Sequence, residues 1–206
     1  MDADAFDDEV RDAHETPLSR LGSSKSLYAL TGGEMAADAV RGAVAAEYDA
    51  AAETFEAWSA DEGSGDAAAL FGAVAEESRD ARDAVAPDDG PADRDYPEYE
   101  TLADLDASTA RAGGLYARCL LAHTRVAQAV GFFVGDADPT TAAEFRGHRD
   151  DLDGRREDAL DLLAELCDTD DDWAAARNAA DAVVEAAYDD YVDTLEGMGV
   201  QPKNVC

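Results

Sequence analysis

Lysine is almost missing from this 206-residue chain, occurring only at Lys25 and Lys203. Cysteine is nearly as scarce: Cys119, Cys167 and Cys206 are odd in number, widely spaced and without a Cys-x-x-Cys pair. That argues against a disulfide framework or a cysteine zinc site, and for a reduced compartment. No apolar run approaches the roughly 18 residues of a membrane span. The best stretch, Val126 to Val134, is about half as long. The opening Met1-Asp-Ala-Asp-Ala is acidic where a signal peptide would be basic. Strand signals are nearly absent. No phosphate loop, serine elbow or Gly-x-Gly-x-x-Gly run occurs, so nucleotide-dependent and triad chemistry find no support. These absences together give the expectation of a helical, cytoplasmic chain with no membrane association.

Acid fills the space that lysine leaves. The chain has 48 acidic against 16 basic residues, for a formal charge of -32. In dilute buffer such a charge repels itself and opposes compaction. In molar salt the Debye length shrinks to roughly 3 Å and the repulsion is screened. Composition therefore suggests a salt-filled cytoplasm such as that of halophilic archaea, and it neither points to a basic partner nor excludes an anionic one. A disordered acidic tail does not fit, because 46% of residues are hydrophobic and they recur at helical spacing. The length suits one domain spanning 1–206, burying roughly 70% of its extended-chain surface.

The 3.6-residue period predicts an N-terminal helical segment within residues 1–30, bent or interrupted at Pro17. Thr31-Gly-Gly-Glu34 has the spacing of a capping box and predicts a helix to about Trp58. Gly63-Ser-Gly-Asp66 is a break, and a further helix follows to about Val85. A connection over 86–106, rich in Pro, Gly and Asp, is expected to hold at most a short turn of helix. Helices are then predicted over 107–134, from Pro139 (N-capped by Asp138) to about Cys167, and over 170–198. Short links make 35–58 with 66–85, and 107–134 with 139–167, antiparallel neighbours. Hairpin, long crossover, hairpin over 35–167 is the arrangement of an all-α, ferritin-like four-helix bundle. The last helix is expected to pack outside it through Trp173, Val184, Tyr191, Leu195 and Met198.

Three segments carry a resemblance: Leu21-Gly-Ser-Ser-Lys-Ser-Leu-Tyr-Ala-Leu-Thr-Gly-Gly-Glu34, Val130-Gly-Phe-Phe-Val-Gly-Asp-Ala-Asp-Pro139 and Gly197-Met-Gly-Val-Gln-Pro-Lys-Asn-Val-Cys206. Through them the whole chain resembles haloarchaeal proteins of the rubrerythrin-like, ferritin-like family, some relatives of which are labelled transcription antitermination proteins. The resemblance implies a four-helix bundle with a two-iron carboxylate site acting on peroxide or oxygen. Such a site asks for an inward Glu from two helices and an inward Glu-x-x-His from the other two. Glu47 falls on the apolar face of Val40, Val44, Ala51, Phe55 and Trp58. Where the resemblance would place Glu-x-x-His on the next helix stand Ser78 and Ala81. Glu77 lies at the edge of that face, His148 near the margin of its own, and Glu144 four residues before it. Glu47, Glu77, Glu144 and His148 are the metal candidates, and one of them is well placed. The expectation is therefore no cofactor, with di-iron as the alternative.

Two arginine patterns stand out. Arg149 and Arg156 lie on the face of Phe145, Leu152 and Leu163, which suggests a core ion pair with Glu47 in place of metal. Alternatively these side chains snorkel to the bundle edges without meeting. At the chain's average density, 48 acids in 206 residues, a 24-residue stretch holds five or six; Arg111 to Val134 holds none. Within it Arg111, Arg118 and Arg125 recur every seven residues, on one side of a helix. They read either as a central helix pairing with its neighbours' carboxylates or as an exposed anion- or partner-binding stripe. Cys119 and His123, at i and i+4, read as a core thiol beside a hydrogen-bonded histidine, and Cys206 as an exposed, fraying end. Three functions follow: an iron-free bundle with a structural, stress-linked or interaction role; a di-iron oxidoreductase; or a transcription- or RNA-associated factor. The partners in view are a second copy of the chain and, on the last reading, RNA or RNA polymerase.

Overall fold

The computed structural model describes residues 1–202, and among these the regular structure is entirely helical. The expectation for Cys206 lies outside the described residues. The helices are α1 (Ala3–Ala13), α2 (Glu15–Leu21), α3 (Ser24–Leu30), α4 (Ala37–Asp61), α5 (Gly65–Val85), α6 (Pro97–Ala103), α7 (Ser108–Gly135), α8 (Pro139–Leu166) and α9 (Asp170–Gly197). No helix among the described residues is long and apolar enough to cross a membrane.

Local chemistry sets most of the boundaries. Ser64 caps α5 by accepting from the Ala67 N–H, and Asp138 caps α8 by accepting from the Thr141 N–H, with Pro139 at the first helical position. Thr169 and Asp172 form a reciprocal capping box at the start of α9. The box expected at Thr31 and Glu34 does not form. Gly32 and Gly33 take positive φ, the Thr31 hydroxyl donates back to the Leu27 carbonyl, and α4 starts only after Ala36. Pro17 does not interrupt its helix either. It sits in the first turn of α2, where the missing N–H is harmless, and the N-terminal segment breaks at His14 and again at Gly22–Ser23. The 86–106 connection holds a full seven-residue helix, α6.

Antiparallel hairpins α4–α5 and α7–α8 provide two of the three most extensive helix contacts, and α7–α9 the third. Backbones approach closely within each hairpin and along α7–α9. Between α4 and α7, and between α5 and α8, they do so at few points. The connection is pinned to α4, where the Ala92 N–H donates to the Gly42 carbonyl (2.9 Å) and the Tyr96 hydroxyl to the Ala43 carbonyl (2.6 Å). On its other side Arg94 meets Asp190 of α9 at 2.6 Å. The N-terminal helix belongs to the core: Phe6 is fully buried, with its ring 5.1 Å from Tyr116 and 5.9 Å from Trp173. Trp173, Val184, Tyr191 and Leu195 are buried on α9 as expected, while Met198 is half-buried.

Helix α7 is thus enclosed by α8, by α9 and by the α4–α6 side. Small residues make this enclosure feasible. A Cβ on Gly113 would lie 2.2 Å from the Ala176 carbonyl oxygen of α9, a contact that only displacement of one backbone relieves. We expect Gly113→Ala to lose about 1–3 kcal/mol in denaturant unfolding through this overpacking. Gly154→Ala, whose Cβ meets nothing within 4 Å, should gain about 0.5–1 kcal/mol. Equal effects at the two sites would contradict the close α7–α9 packing.

Candidate functional site

The arginine stripe of α7 faces inward. Arg111, Arg118 and Arg125 are only 6%, 3% and 5% exposed, so each guanidinium needs a partner inside the protein. Their seven-residue spacing holds them about 10 Å apart along the helix. Each meets at least one acid and the ring of an aromatic residue supplied by α4, α6 or the segments beside them.

At the first level the Arg111 Nε donates to the Leu105 carbonyl (2.8 Å). Its Nη atoms reach Asp61 (3.1 Å) and Glu62 (3.4 Å). Its guanidinium carbon lies 5.6 Å from the Trp58 ring centre. Burial works against the Glu62 charge. Hydrogen bonds from Ser108, Ser64 and Arg111 outweigh that and hold its carboxyl below the usual range.

The central level is the most deeply buried. Arg118 Nε donates to the Tyr99 hydroxyl (3.1 Å) and stands 3.3 Å from Glu47 Oε1. Tyr99 in turn donates to the Glu47 carboxylate, so one hydroxyl links acid and base. The Tyr48 ring lies against the guanidinium, 5.6 Å from its carbon. Burial disfavours the Arg118 charge, but Glu47 and Tyr99 outweigh it and hold the group ionised. Burial raises the Tyr99 hydroxyl well above its ordinary pKa, keeping it a donor. The neighbouring Cys119 thiol is pushed up to about 11 by burial and stays protonated.

At the third level Arg125 Nη2 is 2.5 Å from Glu98 Oε1 and its carbon 4.9 Å from the Tyr96 ring centre. Charge and proximity dominate this pair, since neither Glu98 oxygen has an aligned hydrogen bond among the described residues. Burial lowers the Arg125 pKa, and Glu98 with Glu47 raises it further, to a net increase.

These contacts reassign the expected ion pair. Glu47 is inward, 2% exposed, but its arginine is Arg118; Arg149 and Arg156 do not reach it. Arg149 meets Asp150 (3.0 Å) near the surface. Arg156 turns to Asp7 of α1 (3.4 Å), because α1 covers that edge of α8 and brings its own acid. The metal candidates also disperse. Glu77 is held by Arg155, and Glu144 has Arg41 at 3.9 Å. His148 lies beside the Tyr48 ring, with centres 5.9 Å apart. No three of His, Cys, Asp and Glu gather as a ligand set among the described residues. With an arginine on Glu47 and no donors converging around it, the residues present do not fit a two-iron centre. Nor do Cys119 and His123 form a site: the thiol is fully buried, and His123 Nε2 is 3.4 Å from Asp153.

A cleft of about 710 Å³ opens between α5 and α8 beside the central level. Tyr48, Ser78, Ala81, Arg118 and His148 form its inner wall, and exposed acids line its mouth. Ser78 and Ala81, small residues at two of the inward positions of α5, leave this space open. Arg118 Nη2 and His148 Nε2 are both buried and without a hydrogen-bond partner among the described residues. Tyr48, Tyr96, Glu98 and Tyr99 were missed in the sequence. The clustering of Tyr96, Glu98 and Tyr99 in an otherwise Pro-, Gly- and Asp-rich connection was the available signal. No protein-family model, curated protein or solved structure matches the chain.

Arg118→Met should cost about 3–5 kcal/mol of unfolding free energy in molar salt, because it strands the buried Glu47 charge; a loss below about 1 kcal/mol would refute the central pair. A pH effect follows from His148. Burial lowers its pKa, with Glu144 and Asp151 acting the other way, so the folded state prefers the neutral ring. The unfolded chain, with a histidine pKa near ~6.5, binds the extra proton first, so stability present above that pH is lost as pH falls below it. His148→Gln should flatten this loss between about pH 6.5 and 5. His123, whose pKa burial also lowers, accounts for a remaining slope of the same sign. An unchanged slope in His148→Gln would exclude His148 as a contributor.

Proposed function

We propose that the chain is a metal-free, ferritin-like helical bundle with a binding or scaffolding role, in which Arg118 supplies the positive charge that iron supplies in rubrerythrin-like proteins. The observation that carries the reading is the 3.3 Å approach of Arg118 to Glu47, the one metal candidate placed at the centre. A cation entering there meets a guanidinium already in contact with the carboxylate it would need.

The helix order supports the ferritin-like part of the reading. The end of α4 meets the start of α7 (Trp58 with Arg111), and Glu77 of α5 meets Arg155 of α8. The α6 connection separates the two hairpins, as a long crossover does in that arrangement. An oxidoreductase using Glu47, Glu77, Glu144 and His148 is less well supported, since these residues face different partners. A transcription- or RNA-associated role is less well supported too, because phosphate recognition needs exposed cations and Arg111, Arg118 and Arg125 are buried. The acid coat accords with life in concentrated salt, where specific ion pairs keep their strength only when shielded from solvent.

Anaerobic loading with ferrous iron in molar salt, followed by desalting and metal analysis, tests this. We expect less than stoichiometric iron per chain and no peroxide-consuming activity. Two irons retained per chain would overturn the proposal.

A further inference from the structure

We propose that the cleft between α5 and α8 binds a small basic amino acid, its carboxylate on Arg118 and its side-chain ammonium among the acids at the mouth. The inference rests on the metal-free reading in one respect: Arg118 must stay held by Glu47 at the inner wall.

Three features of the cleft select this chemistry. First, the wall presents a buried cation with unused hydrogen-bonding capacity. Arg118 is 3% exposed, its Nε is committed to Tyr99 and Glu47, and its Nη2 has no partner among the described residues. A buried donor left unmade is costly, more so on a charged group, and a carboxylate is the acceptor that guanidinium binds best. His148, whose Nε2 is also buried and without a partner among the described residues, lines the same space from α8. Its ring is kept neutral by burial, so it can donate to the same carboxylate without adding charge.

Second, the mouth is acidic. Arg155 is already taken up by Glu77 and Asp158, and Asp150 by Arg149. Asp80, Asp151 and Glu157 remain, all exposed at the mouth and in no ion pair among the described residues. The outer end of a ligand seated on Arg118 lies among these carboxylates, where an ammonium group can pair at contact distance. A diamine would satisfy the mouth and leave Arg118 Nη2 unmet. A molecule with a carboxylate at one end and an ammonium at the other, separated by a methylene chain, satisfies both ends. Third, Val74, Ala81, Leu152 and the Tyr48 ring give the space between the ends an apolar lining suited to a methylene chain. A volume of about 710 Å³ admits a ligand of this size.

Isothermal titration of the full chain in molar potassium chloride, with L-lysine as the probe, tests the proposal. We expect saturable one-to-one binding. Cadaverine, which lacks the carboxylate, should bind at least about tenfold more weakly. Because Arg118 variants are expected to destabilise the fold, the decisive variant is Gly154→Trp. Gly154 lines the cleft, is exposed and has nothing within 4 Å of its Cβ position, so a large side chain there obstructs the mouth without disturbing the core. It should weaken L-lysine at least about tenfold without lowering the thermal midpoint. No saturable L-lysine binding, equal binding of cadaverine, or undiminished binding by a folded Gly154→Trp protein would each overturn the assignment. Iron loading of the same preparation separates the two claims. Absence of both iron and lysine binding overturns only this one, whereas two bound irons overturn the reading on which it rests.

Discussion

A guanidinium buried at the centre of a helical protein must be paired, and much of this architecture can be understood as the consequence of pairing three of them. Arg118 is held by Glu47 from α4 and Tyr99 from α6. That contact requires α4 to present a carboxylate inward, and it requires the connection between the hairpins to fold back as a helix. Arg125 imposes the same demand through Glu98 and Tyr96, and Arg111 through Asp61, Glu62 and Trp58. The connection is therefore an integral part of the core. It supplies the acid and the ring for Arg125, the hydroxyl link for Arg118 and, through the Leu105 carbonyl, an acceptor for Arg111.

The same interaction accounts for an otherwise awkward juxtaposition of charge. With -32 formal charges, the surface depends on screening, and screening by concentrated salt also weakens every exposed ion pair. Pairs such as Arg155–Glu77 or Arg149–Asp150 stand in that solvent. The α7 pairs with Glu62, Glu47 and Glu98 do not. Their desolvation is costly, and the interior compensates with hydrogen bonds from Tyr99 and Ser108 and with aromatic faces against the cations. Replacing such pairs with apolar residues is often neutral for stability, so their value here lies in register: each arginine fixes which residues of α4 and α6 face α7.

Helical periodicity made the helices legible in the sequence, and short links made the two hairpins legible, because both depend on neighbours in the chain. The inward position of Glu47 followed from the apolar face around it. Its partner did not. Arg149 and Arg156 lay on the α8 face by angle, yet α1 brings Asp7 to Arg156, and no pattern within α8 reports that. The acid-free run from Arg111 to Val134 did mark the central helix, but the run fits burial and an exposed stripe equally well. The placement of α4 and α6 over α7 decides between them. The capping expectation at Thr31 failed for a local reason: two glycines at positive φ give the chain a tighter turn than a helix start. The cleft was legible only as the small inward residues Ser78 and Ala81, whose significance depends on α8 standing opposite.

Glu47 and Arg118 form a buried, mutually dependent pair at the centre of the protein. A double-mutant cycle with Glu47→Gln and Arg118→Met, read by denaturant unfolding at two molar-range salt concentrations, measures it directly. A coupling of about 2 kcal/mol or more that does not decline as salt rises is expected. A coupling below about 0.5 kcal/mol, or one that fades with added salt as a surface pair does, would contradict it.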